Sequence, residues 1–263
     1  MAHPQLSVIV TTYNWPKALH RVLSGLCAQH YQRLEVIIAD DGSLPDTKEL
    51  VHFWQKKCPF ALHHCWQPDE GFQAARIRNK AVAMASHEYC IFIDGDCVPL
   101  PHFTAYHAKL AQPGWFVAGN RILLNKQFTA EILKQDWEIE HYSLKKWFIA
   151  RAGGKCNRFL PLLPLPLGPL RKLYAHRWQG AKTCNLGVWR RDFLQVNGFN
   201  EAYVGWGFED SDLVIRLQNA NIRRKNGKFA VPVLHLWHPE ADRTHAKENA
   251  QRLQATLQNR EPL

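Results

Sequence analysis

Apolar and polar positions in the first hundred residues fall into runs of two alternating kinds. Residues 6–10 form a short apolar run closed by a polar turn, Thr11-Thr12-Tyr13-Asn14. Pro16 then fits the first turn of a helix, where its missing N–H costs nothing. Leu19, Val22, Leu23 and Leu26 follow at i, i+3, i+4 and i+7, the stripe of an amphipathic helix. A second apolar run, 34–39, leads into Asp40-Asp41-Gly42-Ser43. A helix over 46–57, a strand over 60–66, an alanine-rich helix over 74–86 and a strand over 89–93 continue the pattern. Continuous apolar strands alternating with helices predict an α/β fold whose mostly parallel central sheet carries helices on both faces.

That arrangement has a functional consequence. Ligands of open α/β sheets bind in the crevice beyond the carboxyl ends of the strands, where residues 11–14, 40–43 and 94–96 all fall. Any one of these clusters is also explained as an ordinary turn; three at equivalent positions are harder to explain so. The third cluster ends the strand Ile91-Phe92-Ile93-Asp94-Gly95-Asp96. On extended chain Asp94 and Asp96 point to one side, and Gly95 admits a ligand close to the backbone. Two such carboxylates suit Mg²⁺ or Mn²⁺, which takes further ligands from water and substrate phosphates.

The second half is less regular. In Gly205-Trp206-Gly207-Phe208-Glu209-Asp210-Ser211-Asp212, a tryptophan between glycines offers a flat face suited to a sugar ring. Glu209 and Asp210 then open a helix through Leu213, Ile215, Arg216 and Leu217, where negative charge is favourable. A charged helix start beside a structural tryptophan is the plainer alternative. His235 and His238 follow an apolar run and can supply nitrogen to a metal, although a single histidine is more often structural. Residues 161–169 alternate Pro and Leu and cannot be a helix or an inner strand. Residues 241–258 read as a polar, peripheral helix.

At 263 residues the chain can bury a full α/β core. Its seven scattered cysteines contain no Cys-x-x-Cys pair, which argues against a disulfide framework or zinc site and suits a reducing cytosol. No signal-peptide pattern opens the chain, and no apolar run is long enough to span a bilayer. The net charge of +10 is concentrated: residues 145–178 hold eight Lys/Arg and no Asp/Glu, which points to an anionic partner. With Trp147, Phe148, Trp178 and the Pro/Leu loop, this insert suits an anionic membrane surface; packing on the body of the protein is the alternative. The basic balance and ten tryptophans also raise nucleic-acid binding, but no such motif accompanies them. A phosphoryl-transfer or hydrolytic enzyme would use the same aspartates, yet the chain lacks a Gly-x-x-x-x-Gly-Lys loop.

Ser7-Val8-Ile9-Val10-Thr11-Thr12-Tyr13-Asn14, Asp40-Asp41-Gly42-Ser43, Arg78-Asn79-Lys80-Ala81 and Asp94-Gly95-Asp96 resemble a family 2 glycosyltransferase of the Rossmann-like GT-A fold. Asn185-Leu186-Gly187, residues 196–201 and residues 205–212 resemble the C-terminal part of β-1,4-galactosyltransferases and bacterial chondroitin polymerases. The resemblance implies one GT-A domain over 1–240: a nucleotide-sugar half at 1–120 and an acceptor-side half at 121–240 carrying the insert 145–178. A C-terminal helix at 241–263 would follow. Thr11, Tyr13 and Asp41 would hold the nucleobase of a UDP-sugar, with Arg76, Arg78 or Asn79 near the nucleotide. Asp96 would bind Mn²⁺ or Mg²⁺, with Asp94 on the ribose or the metal. Trp206 would lie against a sugar, Glu209 would bond sugar hydroxyls, and Asp210 would be the general base. His235-x-x-His238 stands where the galactosyltransferases have a Met-x-x-His metal pair.

The implied activity is inverting hexosyl transfer from a UDP-sugar to a glycan or glycolipid acceptor, forming a β-glycosidic bond. Lipopolysaccharide or surface polysaccharide synthesis, in the cytoplasm or at the cytoplasmic face of an inner membrane, would be its setting, with no nucleic-acid partner. Two departures stand out. Phe208 replaces the second glycine usual in the galactosyltransferases. Tyr174-Ala175-His176-Arg177-Trp178 lacks the Gln of the processive synthases' Gln-x-x-Arg-Trp motif, which implies addition of one sugar.

Overall fold

Four parallel strands form the first half of the sheet, in the order β3-β2-β1-β4: β1 (Leu6–Thr12), β2 (Leu34–Asp40), β3 (Ala61–Trp66) and β4 (Tyr89–Asp94). The structure is a computed structural model and describes residues 3–240 and 242–258. Crossover helices α1 (Pro16–Cys27), α2 (Pro45–Gln55) and α3 (Ala74–Met84) join the strands. Strand side chains alternate between two cores. Val8, Val10, Val36, Ile38, Ile91 and Ile93 pack with Leu19, Val22, Leu23 and Leu26 of α1. Ile9, Ile37 and Phe92 face the other way, with Ala75, Ile77 and Ala81 of α3. Burial on both faces is why these strands are continuously apolar.

The second half extends the same sheet. β8 (Asn185–Trp189) lies antiparallel between β4 and β6 (Trp115–Ala118), and β9 (Arg223–Asn226) runs parallel to β6 at the edge. α8 (Glu209–Asn219) covers the α3 side through Leu213, Val214 and Leu217. A smaller sheet joins β5 (Cys97–Pro99), β10 (Pro232–His235) and β7 (Asn120–Leu123) in the order β5-β10-β7. Asn185 ties the two sheets, because its side-chain amide donates to the Asn120 and Val231 carbonyls and its Oδ1 lies 3.2 Å from His107 Nε2. Burial pushes the His107 imidazole down to about 4, so it is neutral here. Helices α4 (Phe103–Leu110), α5 (Lys126–Gln135), α6 (Leu144–Ala152) and α7 (Arg190–Gln195) complete the body.

Three expectations are corrected. β4 stops at Asp94, and residues 95–96 turn into β5, so the two aspartates do not share one side of a strand. Gly95 N donates to Thr11 O at 2.7 Å, and a Cβ there would stand 2.9 Å from Thr12 Oγ1. That glycine therefore serves close packing on β1. The C-terminal helix, α9 (Ala246–Gln258), is packed rather than peripheral: Asn249 and Leu253 are buried, and Asn249 Nδ2 donates to Val204 O at 3.0 Å. Polar side chains bonded to backbone hid this contact in the sequence. Residue 241 and residues 259–263, also expected in that helix, lie outside the described residues. The 161–169 segment is a loop flanked by 3₁₀ turns, as its prolines require. No helix among the described residues is long and apolar enough to cross a membrane.

β8 meets β4 closely at Gly187, where an added Cβ would lie 2.7 Å from His107 Nδ1 and nearer still to Tyr89 Oη. Gly187→Ala is expected to cost about 1–3 kcal/mol through overpacking, read as a lower urea midpoint. An unchanged midpoint would mean that Tyr89 and His107 move aside freely.

Candidate active site

Arg78, on the second turn of α3, reaches across the ends of β1 and β4. Its Nε donates to Thr11 Oγ1 at 3.0 Å, its Nη2 to Asp94 Oδ1 at 3.2 Å and its Nη1 to Glu209 Oε1 at 3.2 Å. The residue is only 4% exposed, and a charge so far from water persists only when paired. The first residue of α8 is thereby fixed to strand ends that lie far earlier in the chain. Burial and the adjacent Asp210 carboxylate push Glu209 up to about 7, against the pull of Arg78. Asp210 accepts a 2.5 Å bond from Thr183 Oγ1.

The loop before α8 is shaped by backbone conformation. Gly205, Gly207 and Phe208 have φ of 73°, 108° and 75°. The left-handed region costs a non-glycine residue about 1–2 kcal/mol, a cost that Phe208 bears. Trp206 is partly exposed, with the Arg243 guanidinium 4.7 Å from its ring centroid. Asn249 of α9 holds the loop from behind through the Val204 carbonyl.

Asp96 turns away from Arg78 towards the histidines. Its Oδ2 lies 3.2 Å from His238 Nε2 and 3.7 Å from His235 Nε2. One ligand atom from each of the three residues lies within 4.8 Å of the others. His238 Nδ1 sits 2.6 Å from the Pro239 carbonyl oxygen, which leaves Nε2 as the ring nitrogen that faces Asp96. Burial lowers the pKa of His235, keeping it neutral as a metal ligand must be. Desolvation raises both Asp94 and Asp96, and Arg78 pulls Asp94 back down. A cluster short of positive charge, with one carboxylate and two imidazoles, fits a divalent transition-metal ion. Asp94 groups instead with the thiols of Cys97 and Cys184.

At the neighbouring strand end, Asp41 is buried and accepts from Gln67 Nε2 at 2.6 Å and Gln73 N at 2.8 Å. Tyr13 is exposed and donates to Asp69 Oδ2 at 2.8 Å. Arg78 thus joins Thr11, Asp94 and Glu209 directly, with Tyr13 and Asp41 just beyond the ends of β1 and β2. Asn79 does not join them. Its amide donates to Phe199 O and Glu201 Oε1 and accepts from Phe199 N, so it clamps the 198–201 turn. Arg76 bonds Glu70 and Gln73 on the surface. Arg121 of β7 is a site residue that the sequence does not announce. It is partly buried and close enough to Asp94 and Asp96 to feel their charge. A lone arginine on a four-residue strand leaves no pattern to find.

The family described as "Glycosyl transferase family 2" matches residues 7–157, and one described as "N-terminal domain of galactosyltransferase" matches residues 172–238. A validoxylamine A glucosyltransferase of Streptomyces hygroscopicus subsp. jinggangensis is 28% identical over 81% of this chain and 51% of its own length. Chondroitin synthase of Escherichia coli is 32% identical over 40% of this chain and 15% of its own. The chain thus spans about half the length of the first of these relatives. A mannosyltransferase from Pyrobaculum calidifontis, solved with GDP-Man and Mn²⁺, superposes with a TM-score of 0.64 at 18% identity, over 100% of this chain and 66% of its own. Its likeness establishes the GT-A fold.

Glu209 titrates in the fold at about 7 against an ordinary 4.5. The folded state therefore binds the proton more tightly, and the stability this contributes is lost as pH rises from about 4.5 to about 7. Wild type should lose thermal stability across that window relative to Glu209→Gln; parallel curves would show that Glu209 is ionised throughout.

Proposed function

From the premise that this chain belongs to glycosyl transferase family 2, we propose that it is a metal-dependent inverting transferase using a UDP-sugar. The acceptor is a glycan or glycolipid, and the product a β-glycoside. The observation that carries this reading is the convergence of Thr11, Asp94 and Glu209 on one buried guanidinium, with the Asp96–His235–His238 cluster on the adjoining turn. Donor-binding strand ends and the acidic start of α8 thereby share a crevice. Residues 1–240 would act as one catalytic unit, with 1–120 serving the nucleotide.

Each side chain has a role in this scheme. Asp41 and Tyr13 flank the uracil, with a free lone pair of Asp41 accepting its N3–H. Asp96, His235 and His238, with Asp94 alongside, would hold the cation; two imidazoles favour Mn²⁺ over Mg²⁺, which prefers oxygen ligands. When bound, that ion supplies Lewis-acid stabilisation of the departing diphosphate. Arg121, the cation facing Asp94 and Asp96, is suited to the same diphosphate. Glu209 bonds sugar hydroxyls while Trp206 lies against the ring. Asp210 takes the proton of the acceptor hydroxyl as that oxygen attacks the anomeric carbon, and the Thr183 hydroxyl orients the carboxylate. One in-line displacement converts an α-linked donor to a β-linked product. Addition of a single sugar, in lipopolysaccharide or surface polysaccharide assembly on the cytoplasmic side of the membrane, suits the altered 174–178 segment.

Asp210→Asn should lower sugar transfer by roughly 10²–10⁴-fold while calorimetric UDP affinity persists. Equal loss of both would remove Asp210 from the base role. His238→Ala should raise the Mn²⁺ concentration needed for half-maximal turnover, whereas a wild-type requirement would exclude His238 from the metal set.

A further inference from the structure

α6 is apolar on two opposite faces. Inward, Trp147 and Ala150 are buried, with the Trp147 ring centroid 6.3 Å from that of Phe128 and 5.6 Å from that of Tyr142. Outward, at i, i+3 and i+4, stand Lys145, Phe148 and Ile149, and the last two are 62% and 59% exposed. Large apolar side chains on the outward face of a helix whose other face is already buried ordinarily meet a cover. The chain following α6 repeats the pattern: Leu160, Leu170, Leu173 and Tyr174 are all exposed. The edge-to-face pair of Phe148 and Phe159, 5.6 Å apart, joins the two segments.

These side chains are displayed by a pinned scaffold. Arg171 is buried and donates to the carbonyls of Leu165, Asn226 and Lys228 at 2.7–2.9 Å. Leu165 N donates to Phe229 O at 3.1 Å. The apolar surface is therefore held outward beside the edge strand β9. Residues 145–178 hold eight Lys/Arg and no Asp/Glu; Lys155 pairs with Glu131 and Arg171 is buried, while Lys145, Arg151, Lys172 and Arg177 are exposed. The insert is linked to the candidate metal cluster through α5: Phe128 of α5 packs on Trp147, and Thr129 Oγ1 accepts from Trp237 N, one residue before His238.

We propose that this face docks on an anionic phospholipid bilayer. Phe148, Ile149 and the exposed leucines enter the headgroup region while the cations meet lipid phosphates. Charge complementarity selects this occupant: a second copy of the chain would set these cations against each other, and a neutral apolar partner would leave them unmatched. Docking would bring the crevice beside an acceptor carried on lipid, the one element that rests on the glycosyl-transfer reading.

The full chain is tested by flotation with vesicles of phosphatidylcholine mixed with phosphatidylglycerol, and of phosphatidylcholine alone, with UDP-sugar turnover followed in parallel. It should float with the anionic vesicles only and be released by salt. Phe148→Ser/Ile149→Ser should weaken partitioning about tenfold or more, and Lys145→Glu/Arg151→Glu should weaken it too, with turnover of soluble donor unchanged in both. Absence of flotation, equal binding to neutral vesicles, or undiminished binding of the Phe148/Ile149 variant would overturn the proposal. So would a dimer in solution that this variant dissociates. Flotation without donor turnover would uphold docking and count against glycosyl transfer; turnover without flotation would overturn docking alone.

Discussion

Arg78 carries a full charge out of water, and the cost of doing so is offset only if every partner stays in place. Its three partners come from the end of β1, the end of β4 and the start of α8. One guanidinium therefore fixes the relation between the ends of β1 and β4 and the acidic start of α8. Removing one partner of such a buried pair typically costs about 3–5 kcal/mol, because the remaining charge is stranded. The same pairing directs Asp94 inward. It leaves Asp96, on the far side of the Gly95 turn, to meet the histidines.

A second tie acts on the other wall. Asn185 holds β8 to the small sheet through the Asn120 and Val231 carbonyls, and that sheet carries His235 and Arg121. Residues of both sheets therefore meet here, and the chain entering the Gly205-Trp206-Gly207 loop is held by Asn249 of α9. The two carboxyls of α8 differ. Glu209 is buried against Arg78 and raised to about 7, while Asp210 accepts from a hydroxyl at the surface of the cluster. Adjacent carboxyls in unlike environments suit a division between holding a sugar and taking a proton.

Much of this architecture is legible in the amino-acid sequence. β1, β2 and β4 are nearly unbroken apolar runs, and α1 carries a full apolar stripe, so both period and order can be read. Three polar clusters at strand ends then locate the crevice. β5, β7 and β10 are illegible, because strands of three or four residues allow one or two alternations and no period. The expected geometry of Asp94 and Asp96 fails for a related reason: alternation holds only while the strand continues, and it stops at Asp94. Asn79 and Arg121 show the remaining gap. Adjacent helical positions face different ways, so Arg78 enters the crevice while Asn79 leaves it. Arg121 enters through strand pairing that no local pattern announces.

The claim on which this account turns is that the crevice binds and activates a nucleotide-sugar through a divalent metal. UDP release from a panel of UDP-sugars, measured with Mn²⁺ and again after EDTA, tests it directly, since slow donor hydrolysis requires no knowledge of the acceptor. Release is expected from one donor above all others, abolished by EDTA and restored by Mn²⁺. Silence across the panel, together with no calorimetric UDP binding, would contradict it and assign the clustered carboxylates and histidines to another ligand.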